Sequence, residues 1–296
     1  MWSQRLVEAI ENATILDAPA SAVAGVLNKW LRPGMLKDSL SGTWLGHAVH
    51  PAAVLLPAGT WLSASWLDLA GDARARPAAR SLVAAGTISA VPAALTGLSD
   101  WAEVAEAERR VGFVHALANT LAVGLYAASW WSRSKDRHGR GAALALTGAA
   151  TIAASSWLGG HLVYANGVGV DTTAFLAGPS EWTDVTADED LAEGSPLGAM
   201  VGEVPIVVVR QGGRLHALNG RCTHRGAPLA DGELVDGCIE CPWHGSRFRL
   251  ESGDVVRGPA TRPQPRFEVR VESGRVQVRL RGETHALRLN PVGSGT

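Results

Sequence analysis

The chain alternates between long apolar stretches and short charged connections up to about residue 170. Four stretches contain no Asp, Glu, Lys or Arg: 51–67, 81–99, 111–132 and 141–170. Each approaches or exceeds the roughly 20 apolar residues that a helix needs to cross a bilayer. Their Ala, Gly and Ser residues would let helix backbones approach closely in lipid. The pattern predicts a four-helix transmembrane bundle over 41–170 and disfavours the alternative, a soluble Ala-rich bundle.

The patterns on either side of this region differ from it. Residues 18–31 place their apolar positions on one side of a helix, so we expect an amphipathic N-terminal segment over 1–40 that lies on the membrane surface or on the bundle. Beyond residue 180 the chain has short β-rich runs, at 205–209 and 267–280, separated by turns that contain Gly. We therefore expect a multidomain protein, with an N-terminal all-α four-helix transmembrane bundle, a C-terminal all-β domain over 181–282 and a tail over 283–296.

Composition supports this division and excludes some functions. The chain is 46% hydrophobic and 19% charged, with a formal net charge of -1, and more than half of its charged residues lie after residue 170. A nearly neutral chain argues against nucleic-acid binding, because a basic surface is what attracts phosphates. Three cysteines are too few for a disulfide framework.

Two short motifs of the C-terminal domain carry candidate metal ligands. The first is Cys222-Thr223-His224 and the second is Cys241-Pro242-Trp243-His244. Two thiolates and two imidazoles are what a 2Fe-2S cluster needs when cysteines hold one iron and histidines hold the other. The same ligands could bind one zinc ion, although the Cys-x-His spacing does not fit a zinc finger.

These motifs resemble the Rieske 2Fe-2S family across residues 181–282. The resemblance implies that Cys222 and Cys241 bind one iron and that His224 and His244 bind the other. It also implies that Ser246 donates a hydrogen bond to a cluster sulfur, and that 258–260 is the proline loop of the family.

The chain departs from the quinol-oxidising type of this family in its loops. Ala227 and Trp243 occupy the places of two disulfide-forming cysteines, and Phe248 replaces a tyrosine that donates a second hydrogen bond to the cluster. With fewer such bonds we expect a reduction potential in the lower part of the Rieske range of roughly -150 to +300 mV. The domain is closer to Rieske ferredoxins, and Cys238 is expected to be a buried thiol rather than a ligand.

Four of the nine histidines lie at the ends of predicted spans: His47, His50, His115 and His161. An up-down-up-down bundle would gather them on one face of the membrane. Because a b-type haem takes an axial histidine from each side of its ring, they are candidate haem ligands. Contact with another metal or a quinone, and structural hydrogen bonds, remain open. The runs 46–51, 96–101 and 159–164 resemble a four-helix membrane family of unassigned function.

Together these features predict a membrane-bound protein that carries one electron on a Rieske cluster. Its expected partners are the lipid membrane and a redox partner protein or quinone, with a haem b as a possible second cofactor. The alternatives are a redox sensor and a subunit of a larger membrane oxidoreductase. A Rieske oxygenase would need a mononuclear iron domain, and about 14 residues follow residue 282, so we expect a carrier rather than a stand-alone enzyme.

The chain is expected to be a multi-pass protein of the cell membrane. Two arguments about its orientation in the membrane disagree. Seven Arg and Lys residues lie in 71–80 and 132–140, against four on the opposite side, which would place the cluster outside. The absent disulfide and the cytoplasmic insertion of such clusters point the other way. We expect the cytoplasmic face.

Overall fold

The computed structural model describes residues 2–280, and its chain divides into two compact units. Of the described residues, 2–32 and 48–168 form one unit, which is helical, whereas 33–47 and 169–280 form the other. The predicted order of an all-α region followed by an all-β domain is confirmed. The predicted tail, 283–296, lies outside the described residues.

Helices make up most of the first 164 residues. They are α1 Trp2–Glu11, α2 Asp17–Trp30, α3 Met35–Ser41, α4 His50–Ala53, α5 Leu55–Ala70, α6 Arg76–Trp101, α7 Glu106–Ser134 and α8 His138–Tyr164. Helix α3 belongs to the second unit. Helix α2 packs on the bundle through Ala20 and Ala24, in one buried core with Trp101 and Val104, so the predicted amphipathic helix lies on the bundle.

Three segments of the described chain are long and apolar enough to cross a membrane, namely Ala73–Trp101, Glu106–Ser134 and His138–Tyr164. The first predicted span is instead divided between α4 and α5. Pro57 lies in the first turn of α5, where it has no N–H to donate to the carbonyl of Ala53 at the end of α4, and this missing hydrogen bond accounts for the break. At 16 residues, α5 is about 24 Å long. By length the structure thus has three spans rather than four, although α5 to α8 still share one buried core.

Large rings packed against glycines hold this core together. The rings of Trp61 on α5 and Tyr126 on α7 stack with centroids 4.2 Å apart. Gly86 on α6 and Gly148 on α8 face these rings so closely that an added Cβ would lie 2.5 and 2.8 Å from them. The small residues predicted to allow close helix packing therefore make room for aromatic rings.

A buried ion pair joins α5 to α7 within this unit. The guanidinium of Arg133 donates to both carboxylate oxygens of Asp68, with one donor–acceptor distance of 2.8 Å, and it also donates to the hydroxyl of Ser129 at 3.1 Å. The side chains of Arg133 and Asp68 are 1% and 7% exposed. Because an isolated buried charge is costly, each of these side chains depends on the other.

We predict that Asp68→Asn destabilises the helical unit by about 3 kcal/mol, because it leaves the Arg133 charge buried without a counter-ion. Thermal unfolding in detergent, followed by circular dichroism, measures this loss. Asp136→Asn is the matched control, since the Asp136 side chain is 97% exposed. Equal unfolding midpoints for the two variants would contradict the prediction.

The second unit contains two antiparallel sheets. The larger has the order β1-β10-β9-β4-β3-β2 and the smaller the order β5-β6-β7-β8. The strands are β1 Thr183–Ala187, β2 Leu197–Val201, β3 Val204–Gln211, β4 Arg214–Asn219, β5 Glu233–Val235, β6 Cys238–Glu240, β7 Arg247–Arg249, β8 Val255–Arg257, β9 Arg266–Glu272 and β10 Arg275–Leu280.

Strand β3 explains how this unit forms two cores. Val207 and Val209 face one core, whereas Ile206 and Val208 face the other. A strand that is buried on both faces needs the continuous apolar run seen here rather than an alternating one. The core that contains Val207 also contains Cys222 and Cys241, the two candidate cysteine ligands. Because residues of both sheets form this core, both sheets support the site.

Candidate metal centre

Two loops of the same shape carry the candidate ligands. The first, 222–227, follows β4, and the second, 241–246, joins β6 to β7. In each loop the amide of the cysteine donates to the carbonyl five residues later, at 2.9 and 2.8 Å, and the glycine amide donates back to the cysteine carbonyl. Gly226 and Gly245 have φ values of +78° and +71°, a left-handed conformation that favours glycine.

The two loops face each other and bring the four predicted ligands together. The imidazole rings of His224 and His244 have centroids 5.1 Å apart and lie almost perpendicular. The thiols of Cys222 and Cys241 are buried and close enough to share a hydrogen bond. Thiol therefore lies beside thiol, and imidazole beside imidazole.

The surroundings favour metal binding by these four groups. The hydrogen bond from Cys241, together with burial, raises the pKa of Cys222, so two neighbouring thiolates need a cation. Burial, followed by the charges of Arg225 and Lys37, lowers the pKa of His244 to about 4. Burial and the neighbouring His244 also lower the pKa of His224. Both imidazoles are thus neutral at pH 7, the form that binds metals.

The histidine nitrogens test whether an iron-sulfur cluster fits this site. The Nδ1 atoms of both rings are enclosed, and that of His244 has no hydrogen-bond partner among the described residues. A buried polar atom without a partner is costly. Nitrogens that face inward, beside two thiols that need a cation, fit the ligand set of a 2Fe-2S cluster.

Comparison with known proteins agrees with this geometry. Residues 181–271 match the family model described as the Rieske [2Fe-2S] domain. The chain is 34% identical over 109 residues to the anthranilate 1,2-dioxygenase ferredoxin subunit of Burkholderia cepacia, which covers 37% of this chain and 98% of the relative. The chain belongs to the Rieske [2Fe-2S] family. The predicted resemblance to this family is confirmed, and with it a 2Fe-2S cofactor.

Other relatives of the Rieske domain are also ferredoxins. Ferredoxin CarAc of Metapseudomonas resinovorans is 38% identical over 98 residues, covering 33% of this chain and 92% of the relative. The ferredoxin of carbazole 1,9a-dioxygenase from Nocardioides aromaticivorans is 28% identical, covers 34% of this chain and all of the solved chain, and has a TM-score of 0.33. Residues 46–172 match a second family model, described as a predicted membrane protein, DUF2231.

Ser246, predicted to donate a hydrogen bond to a cluster sulfur, is the last residue of the second loop. The side chain is buried, and its oxygen accepts a hydrogen bond from the amide of Ala260 at 3.0 Å. Because that bond uses a lone pair, the hydroxyl proton remains available to another acceptor. Phe248, at the place of the family's tyrosine, is fully buried in the same core and offers no such proton.

Sequence reasoning missed the residues that support the first loop. The side chain of Gln264 accepts from the amide of Thr223 at 3.2 Å and donates to the carbonyls of Asn219 and Arg221 at 2.7 and 2.5 Å. The hydroxyl of Thr172 donates to the carbonyl of Cys222 at 2.8 Å. Gln264 is 2% exposed, but a lone glutamine between two prolines carries no pattern that signals burial.

The four membrane histidines have different environments. His47 is exposed and belongs to the second unit. The Nε2 of His161 donates to the carboxylate of Glu11 at 3.1 Å. His50 and His115 each place Nδ1 at a backbone carbonyl of a neighbouring helix, at 2.9 and 2.8 Å, and they are close enough to interact electrostatically.

We predict that Cys241→Ser abolishes cluster binding, because one iron loses a thiolate ligand. Iron and acid-labile sulfide, measured on detergent-purified protein, should both fall to background. Cys238→Ser should keep both at the level of the unmodified protein, because this buried thiol lies on β6 outside the two loops. Cluster loss in Cys238→Ser alone would contradict the ligand assignment.

We predict that Ser246→Ala lowers the reduction potential of the cluster. Losing one hydrogen bond of about 1 kcal/mol corresponds to about 40 mV for a one-electron couple. Redox titration followed by electron paramagnetic resonance measures the shift. Ser195→Ala, at an exposed loop position, should leave the potential unchanged, and a comparable shift there would show that Ser246 has no particular role.

Proposed function

We propose that this protein is a membrane-bound electron carrier, in which Cys222, His224, Cys241 and His244 hold a Rieske cluster. The observation that carries the proposal is the apposition of these four side chains in two matching buried loops. When bound, a 2Fe-2S cluster accepts and releases a single electron. The similarity to ferredoxins that serve oxygenases supports carriage of electrons between proteins or to a membrane acceptor.

The residues around the ligands have separate tasks in this function. The backbone amides of His224 and Arg225 point toward the Cys222 sulfur, where they would compensate part of its charge. Arg257 donates from both Nε and Nη2 to the carbonyl of Gly245, at 2.9 and 2.7 Å. These two hydrogen bonds tie the second loop to β8, which suits a one-electron carrier because electron transfer is helped by a site that rearranges little.

For the acceptor, we propose a quinone or a haem b in the membrane domain. His50 and His115 support this choice, because a ring held at Nδ1 by a carbonyl is oriented to use its other nitrogen. The Nε2 of His115 lies 3.0 Å from the amide nitrogen of Asn119, so a haem iron at this nitrogen would replace that contact. A quinone carbonyl would instead accept from the second N–H of the Asn119 amide. His47 and His161 remain weaker haem candidates, given their exposure and the contact with Glu11.

Two further proposals concern the setting of the protein. The redox partner that reduces the cluster is expected to be a soluble protein, and the chain could act as a subunit of a larger membrane oxidoreductase or as a redox sensor. We also propose that the cluster lies on the cytoplasmic side. A reporter protein fused after the last residue would be active in the cytoplasm if this orientation is right.

We predict that the reduced cluster is reoxidised faster in proteoliposomes that contain a naphthoquinone than in quinone-free vesicles. For each quinol formed, two reduced clusters give up one electron each and the quinone takes up two protons. The decay of the paramagnetic signal of the reduced cluster measures the rate. Optical spectra of the same preparation test the haem, and His115→Ala should remove any b-haem bands present.

Equal reoxidation rates in the two kinds of vesicle, together with the absence of b-haem bands, would contradict a membrane acceptor. The electron carriage itself would then be tested by reoxidation with a soluble acceptor. Cys238→Ser serves as the matched control, since it alters a cysteine without touching the loops that carry the ligands.

A further inference from the structure

A segment from the N-terminal part of the chain is attached to the cluster loops. Residues 33–47, which we name the strap, belong to the same compact unit as the Rieske domain. The amide of Gly258 donates to the carboxylate of Asp38 at 2.9 Å, and the hydroxyl of Thr43 donates to the carbonyl of Ala260 at 3.2 Å. The strap is thus hydrogen-bonded to the 258–260 loop across more than 200 residues of sequence.

The contact between strap and loops is tight as well as polar. A Cβ added at Gly258 would lie 2.1 Å from the Thr43 hydroxyl, and one added at Gly245 would lie 3.1 Å from the Pro33 ring. A side chain at Gly258 would therefore collide with the strap, and one at Gly245 would be tightly packed against it. On the same side of the strap, Lys37 is 1% exposed and Ser41 is 3% exposed.

The opposite side of the strap is apolar and exposed. Met35 and Leu36 on α3 are 88% and 60% exposed, and Trp44 and Leu45 in the following turn are 70% and 47% exposed. The ligand loop adds Trp243, next to His244, at 59%. Large apolar side chains that are exposed together mark a surface that meets something other than water.

The composition of this surface and its place in the chain indicate what covers it. The chain passes from the helical unit into the strap at residue 33 and back at residue 48, so both ends of the strap join a unit with three segments long and apolar enough to cross a membrane. Tryptophan beside leucine and methionine is typical of segments that lie in the lipid interface. Because these five side chains are uncharged, their entry into the lipid interface buries no charge.

We propose that the strap inserts Met35, Leu36, Trp44 and Leu45 into the lipid interface and holds the cluster loops at the surface of the bilayer. This inference rests on the membrane location of the chain and deepens the proposed function, because a cluster at the lipid surface exchanges electrons with an acceptor that enters from the lipid. The hydrogen bonds of Asp38 and Thr43 to the 258–260 loop would keep the strap between the lipid and the cluster loops.

Spin labels measure the depth of the strap in full-length protein reconstituted in vesicles of phosphatidylcholine and phosphatidylglycerol. Met35→Cys and Trp44→Cys each provide one labelling site, because the three native cysteines are buried. Ser195→Cys, on an exposed loop of the same unit, provides the aqueous control. The cluster is kept oxidised, since an oxidised 2Fe-2S cluster is diamagnetic and leaves the label spectrum undisturbed.

We predict that labels at 35 and 44 collide several-fold more with oxygen, which concentrates in lipid, than with a water-soluble nickel chelate, whereas the label at 195 shows the reverse. Preference for the nickel chelate at 35 and 44 would overturn the proposal by placing the strap in water. Protection from both reagents would overturn it by placing a protein, such as a second copy, on this surface. Neither result depends on electron transfer, so failure here leaves the proposed function to its own test.

Discussion

The metal centre depends on one constraint: the charges of two buried, neighbouring thiolates must be compensated by a cation. Cys222 and Cys241 lie in one apolar core, where a pair of like charges could not persist without a cation. The matching loops place them side by side and keep two neutral imidazoles opposite. The two sheets of the unit hold these loops against each other, and strand β3 of the larger sheet contributes side chains to both cores. Hydrogen bonds then hold the loop backbones: Ser246 accepts from the amide of Ala260, and Gln264 accepts from the amide of Thr223 in the first loop.

The membrane half obeys a different constraint, because apolar burial gives little driving force between helices in lipid. There the helices associate through shape, with the stacked rings of Trp61 and Tyr126 set against Gly86 and Gly148. Beside that core, the buried side chains of Arg133 and Asp68 neutralise each other's charge. The ring of His50 packs on Gly97 and the ring of His115 packs on Gly159 in the same way. Unlike Trp61 and Tyr126, these two rings have nitrogens that can bind a metal.

The strap has a polar, buried side and an apolar, exposed side within one stretch of chain. One side is polar and tight, through Asp38 and Thr43, and the other is apolar and exposed, through Met35 and Trp44. The pKa of Asp38 is raised by burial, an effect that the Gly258 amide and the charges of Arg257 and Lys37 oppose. A carboxylate held among these donors ties the strap to the loop next to the cluster. The redox domain is consequently built from two distant parts of the sequence, rather than from its C-terminal residues alone.

The sequence by itself determined the elements whose signal is local. Charge-free runs predicted the helices, β-rich runs predicted the sheets, and the Cys-x-His and Cys-x-x-His motifs predicted the centre, since ligand type and loop turns are encoded within a few residues. Only the tertiary structure decided that 33–47 joins the β unit, that Gln264 supports the first loop and that α4 and α5 divide one predicted span. It also separated His50 and His115 from His47 and His161. Such outcomes depend on partners far apart in sequence, and a single polar residue carries no mark of the carbonyl or carboxylate that it will meet.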